Sequence, residues 1–137
     1  MPESNPAAEA RRWQLLIAAV FVGLGGWCLV APMSVVHLTV RPEVRNDLPL
    51  TAITIGAFGA QAMLVGLVAA TSRFTATTFL ALGLAMLPFF VFDWWFTFVD
   101  PVFTEIGLLD AVGNVIMLVL CVIGWRKCSD RPAFARS

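Results

Sequence analysis

Two aspartates inside apolar stretches are the residues best able to do chemistry in this chain. Asp93 falls in the run Phe92-Asp93-Trp94-Trp95, and Asp110 is followed four residues later by Asn114. A carboxylate at the centre of a bilayer costs about 3 kcal/mol on insertion scales, so an acid held there is a functional hypothesis by default. Residues four apart share one face of a helix, which puts Asp110 and Asn114 side by side. Asp93, Thr97 and Asp100 share a face by the same spacing. Two polar stripes at matching depth would suit a polar pocket. Gln61 lies in the middle of another apolar run, while His37 and Glu105 stand at the ends of two more. Arg41 and Arg45 are close in sequence to His37 and are the expected counter-ions for the two acids, since a paired arginine makes a carboxylate much cheaper to bury.

Each of these residues also has a purely structural role open to it. Asp93 could sit at headgroup level. Asp110 with Asn114 could be an interhelical hydrogen bond, and Gln61 could be helix–helix glue. His37 could be an interfacial residue without chemistry. Glu105 suits a helix N-terminus, where the macrodipole favours an acid, and Asp100 suits a solvated loop. The aromatic run from Phe89 to Phe98 could line a site for a flat hydrophobic ligand or simply face lipid. A histidine near two carboxylates is capable of acid–base work. No G-x-S-x-G, H-E-x-x-H or phosphate-cradling loop accompanies them. Cys28, Cys121 and Cys128 lack C-x-x-C or metal-ligand spacing, so no metal site or disulfide framework is expected. Cys128, beside the last run, is expected to be a free thiol, with an acyl chain as the alternative.

The elements that carry these residues follow from composition. Of 137 residues, 59% are hydrophobic and 13% charged, against about 25% charged in a soluble domain. Mean hydropathy is +0.84. A formal net charge of zero argues against nucleic acid as a partner, because phosphate binding needs a basic excess. Crossing about 30 Å of hydrocarbon takes roughly 20 apolar residues in a helix. Four runs reach that length: 13–36, 50–71, 75–99 and 105–125. The first exceeds the 7–15 residues, roughly, of a signal-peptide core, and Val30-Ala31-Pro32 is a poor cleavage site, so a retained helix is expected. The links at 72–74 and 100–104 are short, which predicts antiparallel neighbours in an up-down bundle.

The expected fold is therefore all-α: a four-transmembrane-helix antiparallel bundle over 13–125, with tails at 1–12 and 126–137. Arg11, Arg12, Arg73, Arg126, Lys127, Arg131 and Arg136 fall on one side of it, and only Arg41 and Arg45 on the other. The positive-inside rule then makes both termini cytoplasmic, in the cell membrane. Asp93 would lie about 9 Å and Asp110 about 8 Å below the outer surface. Pro32 is expected to end or bend the first helix. Pro88 lies inside the third and deprives the Leu84 carbonyl of its usual donor. The second helix carries Ala62, Gly66 and Ala70 on one face and Ala52, Gly56 and Ala60 on another. Small residues let helices approach closely, so this helix is expected to be central.

The first helix ends in Leu29-Val30-Ala31-Pro32 before a polar outer loop, and the second is rich in small residues around Gly56-Ala57-Phe58-Gly59-Ala60. With four helices in this length, the chain resembles the DoxX-like group of small bacterial membrane proteins over about 15–125. Thr54 and Ile55 stand where that group often carries an arginine, and no catalytic residue carries over. Some members are linked to quinone-coupled oxidation, so the resemblance implies a quinone or another lipid-soluble partner.

Three functions remain open at this level. One is an outward-facing pocket lined by Asp93, Asp110, Asn114 and Gln61, with His37 and Arg41 at its mouth, that binds a small or lipid-soluble molecule. Another is an accessory or structural subunit of a larger membrane complex, or a homo-oligomer. The third is an enzyme acting on an isoprenoid or quinone-like substrate. No other cofactor is evident, and membrane lipid is the expected surrounding.

Overall fold

A polypeptide in hydrocarbon must satisfy its backbone groups internally, and for single apolar runs this means helices. A computed structural model of the chain, which describes residues 6–129, is built in this way. Helix α1 is Pro6–Val30, α2 is Pro32–Thr39, α3 is Pro49–Thr71, α4 is Ala76–Ala85, α5 is Leu87–Trp94 and α6 is Leu109–Ser129. Four stretches are long and apolar enough to cross a membrane: Ala8–Val30, Pro49–Thr71, Ala76–Val99 and Leu109–Ser129. Only 17–28% of each apolar window is buried within the protein. The rest of that surface requires an apolar medium. The chain is a multi-pass membrane protein.

Local chemistry sets the boundaries. Helix α1 starts at Pro6, well before residue 13, because Ala7, Ala8 and Ala10 favour helix and Glu9 reaches Lys127 of α6 at 2.7 Å. The expected first tail thus contains helical turns, and Arg131, Arg136 and the rest of 130–137 lie outside the described residues. The first apolar run is broken as Pro32 requires. Ala31 leaves helical geometry, and Pro32 starts α2 where its missing N–H is not needed. Ser34 stitches this corner, accepting from Trp27 Nε1 at 2.8 Å and donating to the Ala31 carbonyl at 2.7 Å.

The third span is interrupted at Met86, just before Pro88, which separates α4 from α5. It then ends in a π-helical turn, Trp95–Val99, closed by a hydrogen bond from the Asp100 N–H back to the Trp95 carbonyl at 3.0 Å. The fourth span begins at Leu109, four residues later than its apolar run. The chain there is drawn against the first span: a Cβ on Gly107 would lie 2.5 Å from the Thr39 carbonyl oxygen. Thr104 secures the turn by accepting from the Gly107 N–H and donating to the Leu38 carbonyl.

The central element is α1, contrary to the expectation for α3. Helix α1 packs on both α3 and α6, α6 also packs on α4 and α5, and α3 packs on α1 and α2 alone. The α1–α3 seam is the tightest. Gly25 and Gly59 face each other so closely that a Cβ on Gly59 would come within 2.5 Å of the Leu29 nitrogen and 2.6 Å of the Gly25 carbonyl. Farther along, Gly66 lies against Val22 and Ala18. On the other flank, fully buried Phe79 lies over Gly124 and Gly83 touches Cys121. A core of Ile17, Phe79, Met117, Leu120 and Cys121 joins α1, α4 and α6. Small residues on α3 find a tight seat on α1 and those of α4 and α6 find one on each other, so α3 and α4 do not pack together despite their short link.

Candidate functional site

The two ends of the molecule differ in kind. One end carries the loops around 40–48 and 100–108 and is called the loop end here; the other, where Glu9 meets Lys127, is the terminal end.

At the loop end, the last turn of α5 carries Asp93, whose residue is 6% exposed, inward onto α6. Asp110 lies in the first turn of α6 and Asn114 one turn on, aligned by helical spacing. Asn114 Nδ2 donates to Asp93 Oδ2 at 2.9 Å and, at a longer 3.4 Å, to Asp110 Oδ2. The result is an acid–amide–acid cluster between the third and fourth spans, with Asp93 buried and Asp110 exposed.

The expected counter-ions are elsewhere. Among the described residues no Lys, Arg or His nitrogen comes within 4.0 Å of either acid. Arg41 Nε donates to the Phe103 carbonyl at 2.8 Å, and the Arg41 N–H to that of Val102 at 2.9 Å. Arg45 Nη2 donates to the carbonyls of His37 and Val40 at 2.8 and 2.9 Å, and its Nε is buried without a partner. Both guanidiniums hold backbone together across the loops, aided by the bridge between Val40 and Phe103. A carbonyl oxygen accepts a guanidinium hydrogen bond without neutralising its charge, and here the nearby carbonyls are the partners.

His37 is exposed and paired through Nε2 with Asp47 at 2.9 Å. Gln61 is exposed on α3, which does not touch α5 or α6, and no hydrogen bond reaches it among the described residues. Of the six expected site residues the structure thus brings three together: Asp93, Asp110 and Asn114. His37 and Arg41 are tied into the loops, and Gln61 is on another flank.

The polar stripe Asp93-Thr97-Asp100 does not continue as α-helical spacing predicts. The π turn widens the helix between them and carries Asp100 off to an exposed position. Such turns recur at functional sites. Close in sequence to Asp93, Phe96 packs on Phe92 and edge-on against Phe103, with centroids 4.5 and 6.1 Å apart. Two carboxyls, one donating amide and an aromatic flank make an acceptor-rich site. It suits a guest that donates hydrogen bonds or carries positive charge. Among the described residues, no three His, Cys, Asp or Glu side chains converge as a metal centre would need.

Sequence reasoning missed a second polar centre, at the terminal end. Gln14, 3% exposed, donates through Nε2 to the carbonyls of Ala69 and Ser72 at 2.5 and 2.8 Å. Its Oε1 accepts from the Phe74 N–H at 3.2 Å. Arg11 donates to the carbonyls of Ser72 and Ala70 at 2.9 and 2.5 Å. Together they satisfy carbonyls that every helix leaves orphaned at its C-terminus. The available signal was spacing: Arg11, Gln14 and Ala18 recur at helical intervals on one face.

Comparison of the chain with family models, with curated proteins and with solved structures returned no match in any of the three.

Proposed function

We propose that this chain is a cell-membrane protein whose four spans run antiparallel, with both termini cytoplasmic, and whose acid cluster on the outer side binds a small or lipid-soluble molecule. The pairings of Gly25 with Gly59 and Gly66 with Val22 support opposed directions for the first two spans. Those of Phe79 with Gly124 and Asp93 with Asn114 support them for the last two. The excess of Lys and Arg at the terminal end supports its cytoplasmic side.

The observation that carries the binding reading is the imbalance at Asp93 and Asp110. Among the described residues, two acids share one amide donor and no cation, and one of them, Asp93, is buried, where uncompensated charge is penalised. A guest bearing a hydroxyl or amine supplies the missing donor. The resemblance to the DoxX-like group makes a quinol, with its two hydroxyls, the first guest to try.

The test is thermal unfolding of the detergent-solubilised chain with short-chain quinols and with amphiphilic amines. A bound guest stabilises by about 2.7 kcal/mol at a hundred times its Kd. The expected result is a rise in melting temperature with one of these probes that Asp110→Asn abolishes, while the unliganded melting temperature barely moves. No rise with either class in the wild-type chain sinks the reading.

One observation favours a second function, a structural subunit of a larger complex. Asn114 closes directly onto Asp93, as a pure interhelical clasp would. In that case Asp110→Asn lowers the unliganded melting temperature and no probe changes it.

A further inference from the structure

Between α3 and α4 runs an open apolar groove of about 500 Å³. Leu64, Val65 and Val68 form one wall, Ala81, Leu82 and Ala85 the other, and Phe74 its end. It exists because the two helices, joined by residues 72–74, pack on different partners and not on each other. The Thr78 hydroxyl, the one polar group of a lining side chain, is bonded to Thr75 at 2.9 Å, so the walls are apolar in effect. Such a gap in a bilayer is filled by hydrocarbon or by another helix.

The mouth of the groove decides between them. At the terminal end, Arg73 immediately precedes Phe74, is exposed, and has no hydrogen bond or ion pair among the described residues. Arg11 is bound to the carbonyls of Ala70 and Ser72 at the same link, again without an acid. Among the described residues, two positive charges thus stand without counter-ions at the terminal end of an apolar slot. Basic side chains at such a surface attract anionic lipid headgroups. The small residues on the walls, Ala69, Ala81 and Ala85, would admit a helix as well, so it is the charge at the mouth that favours a lipid.

We infer that this groove seats one anionic phospholipid of the leaflet at the terminal end, its acyl chain between α3 and α4 and its phosphate at Arg73. The lipid completes the contact that the two helices do not make. This site is independent of the acid cluster.

The test uses the full chain in nanodiscs of equal phosphatidylglycerol and phosphatidylcholine, extracted in mild detergent, with retained lipid counted by native mass spectrometry. The wild-type chain should keep phosphatidylglycerol in preference to phosphatidylcholine. Arg73→Gln should cut that preference about fivefold, the equivalent of about 1 kcal/mol. Ala81→Phe, which fills an exposed part of the groove, should reduce retention of both lipids. Arg126→Gln, a basic change at the same end but outside the groove, should leave the preference intact. Equal retention of the two lipids by the wild-type chain, or no effect of Arg73→Gln, overturns the inference. So does a dimer free of lipid, which would make a second copy the occupant.

Discussion

The polar centres at the two ends of this molecule are built from opposite chemistry. At the terminal end, Arg11 and Gln14 bring donors to the acceptor-rich C-terminus of α3, and the accounts balance: carbonyls of Ala69, Ala70 and Ser72 all receive a bond. At the loop end, Asp93 and Asp110 bring acceptors to a place that has one donor, Asn114. The first arrangement gives each of these carbonyls a donor and holds two helices together. The second is incomplete on its own terms. In a membrane, unmatched polar groups are costly, and it is this difference in hydrogen-bond balance on which the proposed binding reading rests.

The comparison can be broken or sharpened by mutation. The largest effect should come from Gln14→Leu, which strands the Ala69 carbonyl and the Phe74 N–H. Interhelical hydrogen bonds in membranes are worth about 0.6 kcal/mol on average and up to about 2, and stranding buried partners adds to this. A loss of about 2–3 kcal/mol in reversible unfolding from mixed micelles is expected. A loss below a third of that would show the terminal clasp to be dispensable.

Asn114→Leu should rank next. It removes the one amide facing buried Asp93 and should cost about 1–2 kcal/mol in the same assay. If it equals or exceeds Gln14→Leu, the loop-end cluster is as structural as the clasp and the contrast fails. Asp110→Asn should be the mildest for stability, within about 0.5 kcal/mol of wild type, as expected of a residue exposed at a surface. Its predicted loss is of ligand-induced stabilisation, which separates binding from folding at one position.

Much of this was legible beforehand, for identifiable reasons. Run length shows four spans because the bilayer sets a minimum. Pro32 and Pro88 mark their breaks because neither can donate a backbone hydrogen bond. Asp110 and Asn114 are aligned by spacing alone, and the depth of Asp93 on a neighbouring span brings it to them. Neighbour relations were less legible. Helix α3 has small residues on more than one face, and only three-dimensional packing selects the face with Gly59 and Gly66 for α1. Gln61 then points away from the acids. Arg41 and Arg45 can donate to carbonyls as well as to carboxylates, and sequence does not show which lies within reach. The clasp of Gln14 bonds to main-chain atoms, which carry no residue-specific signature at all.

The π turn at Trp95–Val99 has a bearing on how the third span presents itself. An α-helix advances about 100° per residue, and a turn closed five residues back fits one more residue into each revolution. Side chains before Trp95 and after Val99 therefore belong to two angular frames, like two lengths of screw thread joined out of phase. The phase step lets the chain aim Asp93 at α6 while Val102 and Phe103, just past the span, meet the loop that carries Arg41.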